Sequence, residues 1–206
     1  KSKGMEDMVG PLGFTDMDPE GMLTWGFDQL GTMPTIYNYP YYPEHIKAIG
    51  GFEIDNKYVE NKLMVPEAVP EKYAKIAAMI QKRYNLHVVK LTKKMVFDEG
   101  YGQKIFDLIN ATYSHLYGYS QLTQKQINQY IKMYLGMLDL EFVTLIEDWS
   151  GDERKLVGAG ISMPSLSIAL QKCHRGRMLP FGWWHLLRAI KFHKTKIVDL
   201  LLVGIL

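Results

Sequence analysis

The sequence has almost no cysteine: Cys173 is the single one among 206 residues. One thiol cannot form a disulfide within the chain, and no positively charged segment followed by an apolar core opens the sequence. Disulfide-rich secreted proteins are therefore excluded, and we expect a protein of the reducing cytoplasm.

Long apolar runs are also missing, and so is an excess of either charge. The longest candidate, residues 197–206, is interrupted by Asp199 and is far shorter than the ~20 residues of a membrane span. Lys and Arg number 24 against 22 Asp and Glu, so no basic stripe indicates nucleic acid. We expect neither a membrane nor a nucleic acid as partner.

No metal-binding pattern is present. Asp16, Asp18 and Glu20 alternate near Gly21, but they do not meet the calcium-loop pattern. A solvated turn is the preferred interpretation, and we expect no metal site.

Both ends of the sequence are abrupt. It opens on Lys1-Ser2-Lys3-Gly4, with no initiator Met, and stops within an apolar run. We expect an interior segment of a longer protein.

Two parts of different character meet near Pro66 and Pro70. Residues 1–66 are rich in Gly, Pro, Tyr and Met and show little periodicity. We predict strands at residues 6–9 and 52–64, and between them a helix at 43–49 that Gly50 and Gly51 would cap.

Residues 67–206 alternate regularly between helical and strand patterns. Thr123 and Gln126 form a capping box that opens a helix. Helices are predicted around residues 73–84, 105–116, 127–138, 165–172 and 181–192, and strands at 86–91, 142–146, 156–161 and 198–206. This order predicts an α/β (α+β) fold in which helices flank a mixed, mostly antiparallel sheet, with the last strand buried on both faces.

The order of elements from Leu86 to Leu206 resembles the first half of the Gcn5-related N-acetyltransferase (GNAT) fold, and residues 1–64 resemble its second half. Runs similar to those of bacterial tandem-domain members strengthen the resemblance: residues 10–14, 37–43 and 180–185, which read GPLGF, YNYPYYP and PFGWWH. The resemblance implies that residues 1–66 end one GNAT-like domain and residues 67–206 begin a second. The two parts could share one sheet, through strands that pair within a chain or between the chains of a homodimer.

The same resemblance implies a site for acetyl-CoA or another acyl-CoA. In the family, main-chain groups of strand four pair with the pantetheine arm, which makes Leu202 and Val203 the candidate contacts. The family's glycine-rich coenzyme loop would begin just beyond Leu206, so a protein that consisted of this chain alone is expected to bind the coenzyme weakly. The sequence departs from the family at His45 and Ile46, which stand where many members have a tyrosine acid. Tyr41 and Tyr42, one turn earlier, could substitute for that acid.

Other residues allow both a chemical and a structural interpretation. His185, beside Trp183 and Trp184, is a possible general base, although core packing explains this cluster more simply. The tyrosines between Tyr37 and Tyr42 could line a substrate wall or simply bury their rings. For the whole chain two functions stay open: acyl transfer from acyl-CoA to an unidentified amine, or a non-catalytic GNAT-like scaffold or interaction module that has lost coenzyme binding.

Overall fold

The computed structural model describes residues 3–15, 17–136, 138–173 and 176–206. Its elements alternate in type as predicted for the second part of the chain. In chain order they are α1 (Tyr41–Ile49), α2 (Glu71–Tyr84), β1 (Leu86–Lys90), α3 (Lys93–Phe97), α4 (Tyr101–Tyr113), α5 (Gln124–Tyr130), a π-helical turn (Ile131–Leu135), a 3-10 turn (Leu140–Phe142), β2 (Val143–Asp148), β3 (Lys155–Pro164), α6 (Ser167–Gln171), α7 (Gly182–Ile190) and β4 (Val198–Ile205).

The four strands form one antiparallel sheet in the order β1-β2-β3-β4. Leu145 of β2 lies between Val89 and Ala159, and Ile161 of β3 lies opposite Leu202 of β4. The prediction of an α/β fold with helices flanking a mostly antiparallel sheet is confirmed, and every strand pair among the described residues is antiparallel, so that part of the sheet is not mixed. Because β4 pairs with β3 alone, its outer edge is one of the two free edges of the described sheet, the other being that of β1.

Local signals place the helices where the sequence predicts them. The Thr123 side chain accepts from the Gln126 N–H, and Gln126 Oε1 accepts from the Thr123 N–H at 2.9 Å, which confirms the capping box. Helix α1 ends at Ile49, where Gly50 and Gly51 adopt φ values of 74° and 75°. Such values favour glycine, so the predicted cap of this helix is also confirmed.

The main core lies between the sheet and helix α4. Ile105, Leu108 and Ile109 recur at helical spacing on the buried face of α4, and Leu145 is fully buried on the central strand β2. A smaller cluster joins Leu166 and Ala169, at α6, to Ala189 of α7. The main cluster includes Leu201 and Leu202 of β4, and the smaller one attaches α6 and α7 to the sheet through Met163 of β3.

The strands predicted in the first part of the chain are wrong. Residues 6–9 and 52–64 have no strand pairing, and Met8 and Leu63 are largely exposed. A strand needs a neighbour for its main-chain hydrogen bonds, and the described sheet contains no strand from residues 3–66. The division of the chain into two half-domains stays a prediction.

The prediction that β4 is buried on both faces is also wrong. Leu200 is 71% exposed and Val203 57% exposed, whereas Asp199 and Gly204 are buried. Four of the six apolar side chains of β4, those of Val198, Leu200, Val203 and Ile205, are exposed. In the described part of the chain, no helix has the length and apolar character to cross a bilayer.

We expect Leu145→Ala to destabilise the fold by about 2–5 kcal/mol, because it leaves a cavity in the centre of the sheet. Urea unfolding measures the change. Leu200→Ala is the matched control on an exposed strand position and should cost less than about 1 kcal/mol. Equal losses for the two variants would contradict this assignment of the core.

Candidate functional site along strand β4

The free edge of β4 is occupied at Val203 by a tyrosine hydroxyl. The Val203 N–H donates to Tyr113 Oη at 3.2 Å, and the Tyr113 hydroxyl lies 3.2 Å from the Val203 carbonyl oxygen, to which it donates. Both main-chain groups of Val203 therefore point away from β3. One hydroxyl, acting as donor and acceptor, satisfies the hydrogen bonds that a neighbouring strand or an extended ligand would otherwise make.

A polar network holds the end of α4 that carries Tyr113. The Tyr119 ring packs edge-on against Tyr113 at 5.8 Å, and the Tyr119 hydroxyl donates to Asn110 Oδ1 at 2.6 Å. Asn110 also bonds the main chain of Leu122, accepting from its N–H at 2.9 Å and donating to its carbonyl at 3.2 Å. These contacts between α4 and the turn that follows it hold the Tyr113 side chain in position.

Gly204 is required by the approach of α4 to β4. A Cβ atom at this position would lie 2.7 Å from Thr112 Oγ1, closer than atoms can pack. The Thr112 hydroxyl is itself fixed, since it donates to the Leu108 carbonyl at 2.8 Å. The close backbone contact at Gly204 is therefore with α4.

Asp199, four residues before Val203, is a buried acid within an apolar strand. It is 6% exposed, and its Oδ2 has no hydrogen-bond partner among the described residues. Burial raises the pKa of Asp199; hydrogen bonding from the Ser165 hydroxyl opposes that shift, and the negative charge of Glu60 adds to it. A carboxyl group in this state accepts a proton more readily than an exposed aspartate.

A cleft opens on the surface beside α6. It has a volume of about 530 Å³, with Ser167, Leu170 and Gln171 of α6 on one side and the loop 27–33 with Tyr37 on the other. The Ser167 hydroxyl lies 3.4 Å from the Ser165 hydroxyl. Ser167 is part of the cleft lining, which includes neither Ser165 nor the buried Asp199.

A second buried acid, Glu147 of β2, has a hydrogen-bond donor on each carboxylate oxygen. The Tyr101 hydroxyl donates to Oε1, and Trp149 Nε1 donates to Oε2 at 2.8 Å. The hydrogen bond to Glu147 and burial raise the pKa of Tyr101 to about 12. Because both oxygens are used, Glu147 fastens the start of α4 to β2, whereas Asp199 keeps an unused oxygen.

Sequence analysis missed Asp199 as a functional candidate. The available signal was an acidic residue inside an otherwise apolar strand, which the sequence analysis used only against a membrane span. A buried charge costs free energy, so such a residue needs either partners or a chemical role. The hydroxyl of Tyr113 was missed too, since nothing in the sequence places it beside Val203, 90 residues away.

The residues predicted as a site lie on three different elements. Leu202 and Val203 are adjacent on β4, and Leu202 packs against the core. His185 is half-buried on α7. Tyr41 and Tyr42 stack on each other at 4.7 Å on α1, a helix with no buried residue, and the other ring contacts of Tyr41 are with Tyr39 and His45 of the same segment.

The acidic turn near Gly21 is held by local hydrogen bonds. Asp18 Oδ2 accepts from the N–H groups of Phe14 at 2.9 Å and Thr15 at 3.0 Å. Asp16 lies outside the described residues. The Asp18 carboxylate therefore stabilises the turn itself.

Comparison with known proteins gives one weak similarity. A bacterial ceramide synthase of Caulobacter vibrioides (strain NA1000 / CB15N) is 20% identical over 215 residues, which take in 100% of this chain and 51% of that protein. The chain thus spans about half the length of the curated relative it matches. No family model matches the chain, and no solved structure matches it.

We expect Asp199→Asn to stabilise the protein near neutral pH by on the order of 1 kcal/mol, because it removes a buried ionised group, one oxygen of which lacks a partner among the described residues. The raised pKa makes the folded state bind a proton more tightly than the unfolded state. The penalty is therefore absent below the unfolded pKa of about 3.9 and grows as pH rises through the folded pKa.

Urea unfolding of both proteins across this pH range measures the difference. The gain in Asp199→Asn should disappear towards about pH 3. Asp152→Asn, on the exposed turn between β2 and β3, is the matched control and should show no such trend. If the variant is less stable than the parent at neutral pH, the assignment of an unpartnered oxygen on an ionised Asp199 carboxylate is wrong.

Proposed function

We propose that this chain belongs to a cytoplasmic, GNAT-like N-acyltransferase that transfers an acyl group from acyl-CoA to an amine. The observation that carries the proposal is the free edge of β4, where Val203 presents both main-chain groups outward on the strand that also holds the buried Asp199, one oxygen of which has no partner among the described residues. The resemblance of the sequence to tandem GNAT proteins and the antiparallel order β1-β2-β3-β4 support it.

The similarity to a ceramide synthase supports the same class of reaction. A ceramide is the amide of a fatty acid and a long-chain amino alcohol, so its synthesis forms an amide bond. For this chain we keep the acceptor as an amine. Long-chain amino alcohols are the first acceptors to test.

The acyl donor would lie along the outer edge of β4. Amide groups of its pantetheine arm would bond the N–H and C=O of Val203, and Leu202 would position this part of the strand. The Tyr113 hydroxyl holds that place in the free protein, so the donor displaces it. The free energy of donor binding gained at Val203 is then small, because a hydrogen bond to Tyr113 is exchanged for one to the donor.

Acyl transfer requires a neutral amine and a leaving thiolate. The amine nitrogen attacks the thioester carbonyl carbon, the carbon–sulfur bond breaks, and the thiolate is protonated. The proton lost by the amine needs an acceptor, and Asp199 has an unused oxygen and a raised pKa suited to that role. The acceptor would lie in the cleft lined by Ser167, and its proton would pass to Asp199 through the hydroxyls of Ser167 and Ser165, which lie 3.4 Å apart. Tyr41 and Tyr42 are the candidate acids for the thiolate, and His185 is the alternative base.

A non-catalytic scaffold is the second candidate function. The observation in its favour is that Tyr113 already satisfies Val203, so the edge needs no ligand to be stable. The stacked, exposed tyrosines Tyr39, Tyr41 and Tyr42 would then form a binding surface for a partner. A scaffold would release no thiol from any acyl-CoA.

Release of free thiol from acyl-CoA in the presence of amines, with detection of the amide product, tests the proposal. We expect Asp199→Asn to lower kcat by about 100-fold or more, the range of a general base, without loss of folding. Asp152→Asn should keep full activity. Unchanged turnover in Asp199→Asn would remove Asp199 from the mechanism, and absence of thiol release in the parent protein would favour the scaffold.

Val203→Pro tests the donor contact separately. Proline removes the outward N–H while leaving the bonds between β4 and β3 in place, and edge strands tolerate it. Because the free protein loses its bond to Tyr113 as well, KM for acyl-CoA should rise only modestly, about twofold. Val203→Ala keeps the N–H and is the control; an equal rise in KM for both variants would show that the side chain, not the main chain, is responsible.

A further inference from the structure

The outer surface around α7 carries a group of apolar side chains that the fold does not use. We define the α7 aromatic face as Met178, Leu179, Phe181, Trp183, Trp184 and Phe192. All six are exposed, and Leu179 and Phe181 are 76% and 72% exposed. The rings of Trp183 and Trp184 lie 5.7 Å apart and those of Trp184 and Phe192 lie 6.1 Å apart, so the face is continuous at this end.

The inner side of α7 is already packed. Gly182 and Ala189 are buried, and Leu186 and Ile190 contact the cluster around Leu166 and Ala169. The spacing of these four α7 residues forms one apolar stripe, which accounts for docking of the helix onto the domain. The α7 aromatic face is therefore additional apolar surface, not the side that holds the helix in place.

The loop before α7 is held in a fixed shape that displays Leu179 and Phe181. The Trp183 N–H donates to the Met178 carbonyl at 2.9 Å, and Trp183 Nε1 donates to the Pro180 carbonyl at 3.0 Å. Below it, the buried Cys173 thiol lies 3.2 Å from the Gly182 carbonyl oxygen. An exposed apolar tip that is held by hydrogen bonds needs little reordering on binding.

The segment from Lys172 to Val198, which contains α7, carries positive charges only. From Lys172 to Val198 the sequence contains seven Lys and Arg and no Asp or Glu, although the whole chain has a net charge of only +2. Arg177, Arg188, Lys191, Lys194 and Lys196 are exposed. Asp139, the acid that contacts this stretch through His193 at 3.0 Å, lies at its rim.

We propose that the α7 aromatic face and its surrounding cations dock the protein on the surface of an anionic lipid bilayer. Trp and Phe beside Lys and Arg are the combination that binds the interface between headgroups and acyl chains, where rings enter and cations meet lipid phosphates. Leu179 and Met178 favour lipid over nucleic acid, because aliphatic side chains gain from contact with acyl chains but cannot stack on bases.

Docking on the surface of a bilayer differs from spanning it. The absence of a long apolar run argues only against a membrane span. Surface docking needs neither Asp199 nor an acyl donor. Failure of vesicle binding and failure of acyl transfer are therefore separate results. In a lipid-modifying enzyme it would place the cleft beside α6 close to the bilayer, since α6 and α7 share one core.

Cosedimentation with vesicles of phosphatidylcholine and phosphatidylglycerol, compared with phosphatidylcholine alone, tests the proposal. The protein should partition onto the anionic vesicles and only weakly onto the neutral ones. The double variant Leu179→Ser with Phe181→Ser should lower partitioning at least about tenfold. The matched control, Leu63→Ser with Phe14→Ser, changes the same residue types at sites at least as exposed and should bind like the parent.

Charge is tested by Arg188→Gln with Lys191→Gln. Each cation near an anionic surface strengthens binding about fivefold, so this pair should lose about 25-fold at low salt and less at high salt. Lys72→Gln with Arg83→Gln on α2 is its control. Binding that survives both α7 variants, or no binding of the parent, would overturn the proposal. Two further results would overturn it. Binding of a single-stranded oligonucleotide that vesicles do not displace would indicate a nucleic acid partner, and self-association through Leu179 and Phe181 without vesicles would indicate a second copy of the chain.

Discussion

The antiparallel pairing of β4 with β3 is the constraint on which the site depends. It joins the last strand to the core through one edge and leaves the other edge free. Pairing fixes Val203 opposite Gly160, with its main-chain groups pointing outward, and it holds Asp199 opposite Met163 in the interior. A strand is rigid enough to keep both features in one orientation, and that is what positioning of a donor and a base requires.

The two buried acids, Glu147 and Asp199, differ in how many of their carboxylate oxygens have hydrogen-bond partners. Glu147 has a donor on each oxygen and connects α4 to β2, so its burial is compensated. Asp199 has one oxygen without a partner in the described chain, and the fold tolerates that cost. Residues held at a cost to stability are concentrated at functional sites. The contrast therefore favours Asp199 over the satisfied acid as the reactive group.

Local patterns in the sequence predicted the elements of residues 67–206 well, because capping, periodicity and strand composition are properties of neighbouring residues. Thr123 with Gln126 and the apolar stripe of α4 are examples. The strands predicted at 6–9 and 52–64 failed because a strand depends on a partner that composition does not supply. Tyr113 and Asp199 could not be predicted as neighbours of Val203 and Ser165 for the same reason. Their contacts join segments far apart in sequence.

The most direct measurement is the amide resonance of Val203 in protein labelled at valine with nitrogen-15, recorded while acyl-CoA is added. If the donor lies along β4, the Val203 N–H exchanges its bond with Tyr113 for a bond with the donor. The account predicts a large, saturable shift of this resonance, while the resonance of Val143, on the central strand β2, stays in place. A Val203 resonance unmoved at donor concentrations that support thiol release would contradict the account, because the donor would then bind elsewhere.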